Sequence, residues 1–251
     1  MRKPIFELKK VFSVKDYFCY YKDFLKDERT KKELDFIEEA LKLNKNMKIL
    51  DLCCGHGRIS NPLAACGYDV TGLDITKGFL NIAKRDANRK KLKVKYVHGD
   101  MRKIPWKNHF DVIINIFTSF GYFDDKINLK ILKGISQALK NNGRFLIDHV
   151  NRDYIMKNYR SCFVTENNRN YTIDINEFDC ETSRNYTKRT IVYKNGRVKH
   201  MKFFVRMYTF TELKMLLESV GLKILKAYGD AMLGSKLRPD SKRMIIIAKK
   251  I

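Results

Sequence analysis

The sequence has few features of an exported, membrane-bound or metal-binding protein. Its first residues, MRKPIFELKKVF, carry a charge every few positions and so lack the apolar core of a signal peptide. No segment approaches the roughly 18 consecutive apolar residues of a membrane-spanning helix. The six cysteines form no CxxC pair and no zinc-ligand spacing. We therefore expect a cytoplasmic protein with reduced thiols, no membrane partner and no metal site.

Acidic residues are scarce beside basic ones, 28 against 51, which leaves a formal net charge of +23. Such an excess is compatible with binding nucleic acid or another polyanion. The lysines, however, are spread along the whole chain, and this distribution favours a lysine-rich solvated surface instead. With 251 residues, 44% of them hydrophobic, the chain is long enough to bury a core without disulfides or metals.

Strands and helices alternate through the first 150 residues. Strands are predicted at five apolar or alternating segments: Met47–Leu52, Tyr68–Leu73, Lys93–His98, Phe110–Phe117 and Arg144–His149. Three helices are predicted between them, at about His56–Cys66, Thr76–Asn88 and Ile127–Lys140, and the last is expected to end at Asn141-Asn142-Gly143. This alternation is typical of an α/β fold with a Rossmann-like, mostly parallel sheet and helices on both faces.

The alternation breaks after residue 150. Three antiparallel strands are predicted there, at 171–178, 186–194 and 197–208, with Asn195-Gly196 as a two-residue hairpin turn. A helix capped by Thr211 and two strands then complete the main sheet. We predict an N-terminal helical lid (residues 1–45), a cofactor-binding Rossmann-like domain (46–150 and 207–251) and an antiparallel β insertion that covers the substrate (151–206).

Three chemical signals fall at the ends of consecutive predicted strands. Gly55 and Gly57 stand in the first turn, where glycine allows a ligand to approach the main chain. Asp74 ends the second strand and can accept hydrogen bonds from ribose hydroxyls. Asp100 follows the third strand and can accept from an adenine amino group, while Met101 packs on the ring. Because ligands of open α/β sheets bind at the carboxyl ends of strands, the three together predict a nucleoside site.

These motifs resemble those of class I S-adenosylmethionine-dependent methyltransferases. Asp51 to Gly57 resembles the first motif of the family, and the segment from Phe110 to Tyr122 resembles its fourth-strand motif. The resemblance implies S-adenosylmethionine as the cofactor. It implies cofactor contacts for the following residues: Tyr20, Arg29, Asp51, Cys53, Gly55, Gly57, Asp74, Ile75, Asp100, Met101 and Ile116. Cys53 stands where many members have glycine.

Two subgroups of that family are similar to particular segments. Gly99–Arg102 and Ser119–Tyr122 are similar to amino-sugar N,N-dimethyltransferases. Ile147–His149 with Asn151 is similar to glycine N-methyltransferases, in which an arginine between the histidine and the asparagine grips the substrate carboxylate. Val150 occupies that position here, which disfavours glycine as the substrate.

The N-terminal segment resembles the lid of the glycine N-methyltransferases. Tyr20 and Tyr21 are followed there by Arg29-Thr30. The resemblance implies that Arg29 holds the carboxylate of the cofactor's methionine moiety. The alternative is an ordinary surface charge on a helix.

Methyl transfer needs the acceptor, the methyl group and the sulfur in line, so positioning dominates the predicted mechanism. His149 is the candidate general base, but the sequence favours a structural histidine that bonds to the fourth-strand loop. Tyr21 and Tyr122 are expected to orient the reacting groups, with ordinary aromatic packing as the alternative. Thr118 and Ser119 are expected at the substrate.

The predicted activity is methylation of an amine or hydroxyl of a small molecule or peptide. An RNA methyltransferase is the alternative, since Arg184 to Arg206 contains eight Lys or Arg, no acidic residue and several aromatics. With a small acceptor, Lys188, Arg189, Lys199 and Lys202 would mostly face solvent. A cofactor-binding module without catalysis is a third interpretation. The oligomeric state is left open.

Overall fold

The central feature of the fold is a seven-stranded sheet, seen in a computed structural model that describes residues 6–21, 25–232 and 234–251. Its strands are β1 (Lys48–Leu52), β2 (Asp69–Asp74), β3 (Val94–His98), β4 (Phe110–Asn115), β5 (Leu139–Val150), β10 (Leu222–Tyr228) and β11 (Arg243–Lys250). Their order is 10-11-5-4-1-2-3. Strands β1 to β5 are parallel, and β11 runs antiparallel to both β5 and β10. The predicted Rossmann-like fold class is confirmed.

Eight helices lie along the described chain. They are α1 (Leu8–Val11), α2 (Val14–Tyr21), α3 (Asp27–Ala40), α4 (Ser60–Ala65), α5 (Lys77–Arg89), α6 (Asp125–Ala138), α7 (Arg152–Lys157) and α8 (Phe210–Glu218). Side chains of a strand alternate between the two faces of the sheet. Leu50 accordingly packs with α6 and α8, whereas Ile49 packs with α3 and α4. None of the helices in the described residues is long and apolar enough to cross a membrane.

A second sheet follows β5 and contains four strands, one more than predicted. They are β6 (Cys162–Asn167), β7 (Asn170–Asp179), β8 (Arg184–Val192) and β9 (Val198–Arg206), in the order 6-7-8-9 and antiparallel throughout. The segment of β6 is largely exposed, so it lacks the alternating pattern that identifies a half-buried strand. The turn between β8 and β9 also differs from the prediction. Tyr193 and Arg197 close a three-residue loop in which Gly196 has φ +81°.

Two predicted helix ends are wrong. Helix α6 ends at Ala138, and Asn141-Asn142-Gly143 lies within β5, where Asn142 has φ +63° and the pairing with β4 shifts register. These residues form an irregular step in a strand, which uses the same left-handed backbone as a helix cap. Helix α8 is capped by Thr209, not Thr211, and Glu212 completes a capping box.

Candidate active site

A cavity lies at the carboxyl ends of β1 to β4, beneath the N-terminal helices. Eight of its lining residues are ones that the sequence proposed: Cys53, Gly55, Asp74, Ile75, Asp100, Met101, Ser119 and Tyr122. Seven others complete the lining: Leu8, Phe12, Tyr17, Thr76, Phe79, Gly99 and Phe123. The cavity has a volume of about 80 Å³, whereas small-molecule sites commonly span roughly 300–1,000 Å³. Part of the wall of this small cavity is formed by the segment of α1 and α2.

The first turn has a left-handed backbone at each of its two glycines. Gly55 has φ +54°, and no atom lies within 4 Å of the place where a Cβ would stand, so its main chain is open to a ligand. Gly57 has φ +81°, and a Cβ there would collide with the hydroxyl group of Tyr96. Gly55 thus faces the cavity, while Gly57 is required by packing on the other side of the turn.

Cys53 adopts a conformation that glycine would tolerate more easily. Its φ is +66°, and left-handed backbone costs about 1–2 kcal/mol for a residue with a Cβ. Its Sγ lies 3.4 Å from the Sδ of Met101. Burial raises the pKa of the Cys53 thiol well above its ordinary value, so the group stays a neutral, soft part of the cavity wall.

Asp74 joins two of the turns that border the cavity. Its carboxylate accepts hydrogen bonds from the N–H of Gly55 at 2.9 Å and from the N–H of Thr76 at 2.7 Å. The residue is buried, and burial raises the pKa of its carboxyl above the usual range. A carboxylate has about four lone-pair positions, so it keeps acceptor capacity beyond these two bonds.

Asp100 is engaged by a neighbour. The N–H of Arg102 donates to it at 2.9 Å, and the guanidinium group of Arg102 donates to both carboxylate oxygens at 2.5–3.0 Å. These hydrogen bonds with Arg102 hold the pKa of the Asp100 carboxyl below its usual value. Any contact with an adenine amino group would have to share the carboxylate with this arginine.

Six predicted cofactor or substrate residues lie outside the lining of the cavity, and four of them belong to the main sheet and its loops. Asp51 is buried and accepts a hydrogen bond from the Ser60 hydroxyl at 2.6 Å, which ties β1 to α4. Burial raises the pKa of Asp51 to about 6. Gly57 has been described above. Ile116 packs against the apolar cluster beneath α3, and Thr118 lies in the loop that leads to Ser119.

Tyr122 is the predicted catalytic residue that lines the cavity. Its ring centroid lies 4.9 Å from that of Phe6 and 5.8 Å from that of Phe12, so the N-terminal segment packs directly on it. Burial raises the pKa of the Tyr122 hydroxyl well above its ordinary value. The group therefore stays protonated and is able to donate a hydrogen bond rather than act as a base.

His149 is completely buried, away from the cavity lining. Its Nδ1 donates to the carbonyl of Val150 at 3.0 Å, and its Nε2 has no hydrogen-bond partner. Burial lowers the pKa of the imidazole to about 4, so the ring is neutral at pH 7. The surroundings of His149 are those of a packed histidine between Phe120 and Tyr208.

The remaining predicted residues lie in the N-terminal segment, beside the cavity rather than in its wall. Tyr21 packs its ring against Tyr17 at 4.7 Å and against Phe117 at 5.5 Å. Arg29 donates to Glu33 at 2.8 Å and lies 5.7 Å from the Phe117 ring. The sequence also missed Arg58, which pairs with the same Glu33 and lies at the same distance from Phe117. Arg58 directly follows the glycine turn, and that position was a usable signal.

Tyr20 stacks on a buried ion pair of the second sheet. The guanidinium carbon of Arg189 lies 3.6 Å from the centre of its ring. Arg189 in turn forms two hydrogen bonds of 2.7 Å with Asp174, and both side chains are buried. The expectation that Arg189 faces solvent is therefore wrong, because its charge is paired inside the fold.

The basic stretch from Arg184 to Arg206 has fewer unpaired, exposed lysine and arginine side chains than its composition suggests. Lys199 pairs with the buried Asp16 of α2, and Arg206 pairs with Asp125 and Glu212. Lys188 and Lys202 are the exposed residues of the four that were proposed for phosphate contacts. The second sheet therefore uses several of its cations to hold α2 and α8 in place.

A search of known sequences finds relatives among methyltransferases. Residues 49–143 match the family model described as a methyltransferase domain. The ubiquinone biosynthesis O-methyltransferase of Pelagibacter ubique is 34% identical over 108 residues, 43% of this chain and 44% of the relative. The glycine/sarcosine N-methyltransferase of Parasynechococcus marenigrum is 25% identical over 205 residues, 80% of this chain and 72% of the relative. The first alignment thus spans less than half the length of that relative.

Solved structures resemble the whole chain. An S-adenosylmethionine-dependent methyltransferase from Clostridium acetobutylicum superposes with a TM-score of 0.80 and 20% sequence identity. The superposition covers 95% of this chain and 97% of that one. At this identity the likeness concerns the fold, and it includes the region of the second sheet.

Proposed function

We propose that this chain, which carries a class I S-adenosylmethionine-dependent methyltransferase domain, transfers a methyl group to an amine or hydroxyl of a small molecule. The predictions of a methyltransferase of this family and of S-adenosylmethionine as its cofactor are confirmed by the matching relatives. The reaction of the whole chain, its acceptor and the role of each residue are the proposal.

The observation that carries the proposal is the partly enclosed cavity at the ends of the parallel strands, five of whose fifteen lining residues are aromatic. The segment of α1 and α2 covers it through Leu8, Phe12 and Tyr17, and the ring of Phe12 packs on that of Tyr122 in the cavity wall. An enclosed cavity suits a small acceptor, which can be surrounded, better than a polymer, which needs an open groove. The relatives include an O-methyltransferase and an N-methyltransferase, which supports both types of acceptor atom.

The residues of the cavity fit the proposed cofactor. The open main chain at Gly55 admits a ligand, and Asp74 has acceptor capacity left for the two ribose hydroxyls. Met101 lies beside Asp100, where it can pack on an adenine ring. Arg29 and Arg58 are the cations near Phe117 that can pair with a carboxylate of the methionine moiety.

Bound S-adenosylmethionine supplies an already activated methyl group, so the chain mainly has to position the acceptor. Tyr122 and Ser119 line the cavity: the Tyr122 hydroxyl can donate a hydrogen bond to the substrate, whereas the Ser119 hydroxyl donates to the Ile116 carbonyl at 2.8 Å and can accept one. The aromatic cover excludes water and holds the acceptor in line. Because His149 is buried away from the cavity, we propose that an amine enters already neutral instead of losing its proton to this histidine.

Labelling of cell extract tests the proposal. The protein is incubated with methyl-labelled S-adenosylmethionine and extract that has been separated into small-molecule, protein and RNA fractions. We expect label in the small-molecule fraction and, at a cofactor concentration below saturation, at least tenfold less label with the Asp74→Ala variant, which serves as the control for cofactor-dependent transfer. Label in RNA would favour the alternative acceptor, and no label in any fraction would favour a binding module without catalysis.

A further inference from the structure

The loop after β4 contains two consecutive residues in the left-handed region of backbone conformation. Phe117 has φ +59° and Thr118 has φ +58°. Left-handed backbone is unfavourable for any residue with a Cβ and is exceptional for a β-branched threonine. Such a conformation persists only where surrounding contacts impose it. The loop must therefore be held by residues outside it.

Those contacts come from Asp148, near the end of β5. The N–H of Phe117 donates to the Asp148 carboxylate at 2.9 Å, and the N–H of Thr118 donates to the Asp148 backbone carbonyl at 3.0 Å. Both left-handed residues are thus bonded to the same residue of the adjacent strand.

Asp148 is itself fixed by β11. The Nε of Arg243 donates to its carboxylate at 2.7 Å, and a second guanidinium nitrogen reaches its backbone carbonyl at 3.3 Å. The side chains are only 13% and 21% exposed, so solvent screens this ion pair less than one on the surface. One carboxylate oxygen serves Arg243 and the other serves the loop.

The loop carries residues that the proposed reaction needs. Ser119 and Tyr122 line the cavity. Phe117 places its ring 5.5 Å from that of Tyr21 and 5.7 Å from the guanidinium carbons of Arg29 and Arg58. A shift of the loop would therefore move the acceptor contacts and the packing of the N-terminal segment together.

We propose that Asp148 is a positioning residue for methyl transfer, which acts through the main chain of Phe117 and Thr118. It lies outside the lining of the cavity, and the proposal rests on the proposed function of that cavity. Asp74 and Asp100 belong to other strands, so the site of the nucleoside should stay intact when Asp148 is replaced. The acceptor side, carried by the loop, should not.

Three variants separate positioning from general stability. Asp148→Ala removes the acceptor for the N–H of Phe117, and Asp148→Asn keeps an acceptor oxygen. Adding Thr118→Gly to Asp148→Ala lowers the cost of the left-handed backbone, because glycine adopts it freely. Asp111→Ala is the matched control. Asp111 also accepts a backbone N–H, from Lys48 at 2.9 Å, and pairs with Lys140, but it lies at the other end of the sheet.

Amide hydrogen exchange measures how firmly the loop is held, and the measurement does not require the methyl-accepting substrate to be known. In Asp148→Ala we expect the Phe117 amide to exchange about tenfold faster, the factor for losing a hydrogen bond of ordinary net strength. Asp148→Asn should fall in between, and Asp111→Ala should leave this amide unchanged. Unchanged exchange in Asp148→Ala would overturn the proposal.

The rate of methyl transfer to the substrate identified by labelling shows whether a loosened loop impairs the reaction. We expect Asp148→Ala to lower turnover and to raise the KM for the methyl acceptor. The affinity for S-adenosylhomocysteine should fall less, because only Arg29 and Arg58 contact the loop among the proposed cofactor residues that the structure describes, and adding Thr118→Gly should restore part of the turnover. An equal loss in Asp111→Ala would mean a merely structural role and would overturn the proposal. If Asp148→Ala does not fold, the same comparison is made with Asp148→Asn. The two proposals can fail separately. If the Phe117 amide exchanges faster in Asp148→Ala but the wild type labels no product, the proposed function is refuted, while the stabilisation of the loop by Asp148 still stands.

Discussion

The carboxylate of Asp74 accepts a hydrogen bond from the main-chain N–H of Gly55 at 2.9 Å, which ties the end of β2 to the turn after β1. The two residues lie 19 positions apart in the chain, Asp74 at the end of β2 and Gly55 in the turn that follows the adjacent parallel strand β1. The same carboxylate is the proposed partner of the ribose hydroxyls. Asp74 therefore has a structural bond and a proposed ligand bond, and its replacement should affect both.

Replacement of Asp74 should weaken the cofactor more than it weakens the fold. Losing a charged hydrogen-bond partner costs about 1.5–3 kcal/mol, so Asp74→Ala should bind S-adenosylhomocysteine at least tenfold more weakly in calorimetry. A smaller loss of stability is expected because the N–H groups of Gly55 and Thr76 lose their acceptor. Asp74→Asn keeps one acceptor oxygen, so its affinity for S-adenosylhomocysteine should lie between those of the wild type and Asp74→Ala.

Asp69 offers the control for this experiment, because it is exposed at the opposite end of the same strand. Asp69→Ala should leave the affinity unchanged. If Asp74→Ala also keeps the wild-type affinity, the assignment of the ribose site to Asp74 is wrong.

His149 should make stability depend on pH in a defined direction. Its pKa is lowered to about 4 in the folded chain, while an unfolded histidine titrates near 6.5. Between these values the unfolded chain binds a proton that the folded chain does not, so this stability is present above pH 6.5 and is lost as the pH falls towards 4. The full effect is at most about 3 kcal/mol.

Urea unfolding of the wild type and His149→Asn should show that the difference between their unfolding free energies becomes smaller as the pH falls. The wild type should be the more stable at pH 7.5, and the difference should shrink by pH 5. The quantity to compare is the difference in unfolding free energy between the wild type and His149→Asn. The wild type alone is not sufficient, because the pKa of Asp51 is raised to about 6 and its contribution to stability changes with pH in the opposite direction. A pH-independent gap, or a large turnover loss in a variant of unchanged stability, would contradict the structural interpretation of His149. His200→Asn, at an exposed site, is the control.

The buried pair of Arg189 and Asp174 should be strongly coupled. Arg189→Met leaves a carboxylate buried without its partner, and such changes cost about 3–5 kcal/mol. The double variant with Asp174→Leu should recover much of that stability, because it leaves no unpaired charge. The exposed neighbour Lys188, replaced by Met, should change stability little. Additive effects in the double-variant cycle would refute the coupling.

The exposed cations of the second sheet should not be required for activity. Lys188 and Lys202 are register partners on β8 and β9, and both are exposed. Replacing both with Ala should leave turnover within about twofold, since surface substitutions usually change little. For an RNA acceptor, the double variant would instead reduce the salt dependence of binding by roughly 0.7 log units for each lost phosphate contact. Binding to cellular RNA measured between low and physiological salt distinguishes the two outcomes.

Much of the cavity could be predicted because its signals are local. Gly55, Asp74 and Asp100 each lie within three residues of the end of a strand, and parallel strands bring their carboxyl ends to one edge. Phe12 could not be found in this way, because nothing in the chain near residue 12 indicates that it meets Tyr122. That contact depends on how the N-terminal segment folds back over the sheet.

Whether a charged side chain is buried also depended on tertiary contacts that local sequence signals do not contain. Arg189 stands in a basic stretch, and the sequence predicted that it faces solvent. It is buried because the register of β7 and β8 sets it opposite Asp174, and because Tyr20 comes from the far end of the chain to stack on it. Pairing across strands depends on register, which the pattern of a single strand does not contain.

The sequence by itself determined the alternation of strands and helices up to β5, the glycine turn and the acidic strand ends, since these follow from hydrophobic periodicity and backbone preferences within short windows. Only the tertiary structure decided which face of the second sheet holds the N-terminal helices and that Asp148 supports Phe117 and Thr118. It also decided that His149 is buried. Those outcomes depend on contacts between residues 31 to more than 160 positions apart, whose free energies are set by burial and geometry that exist only once the chain has folded.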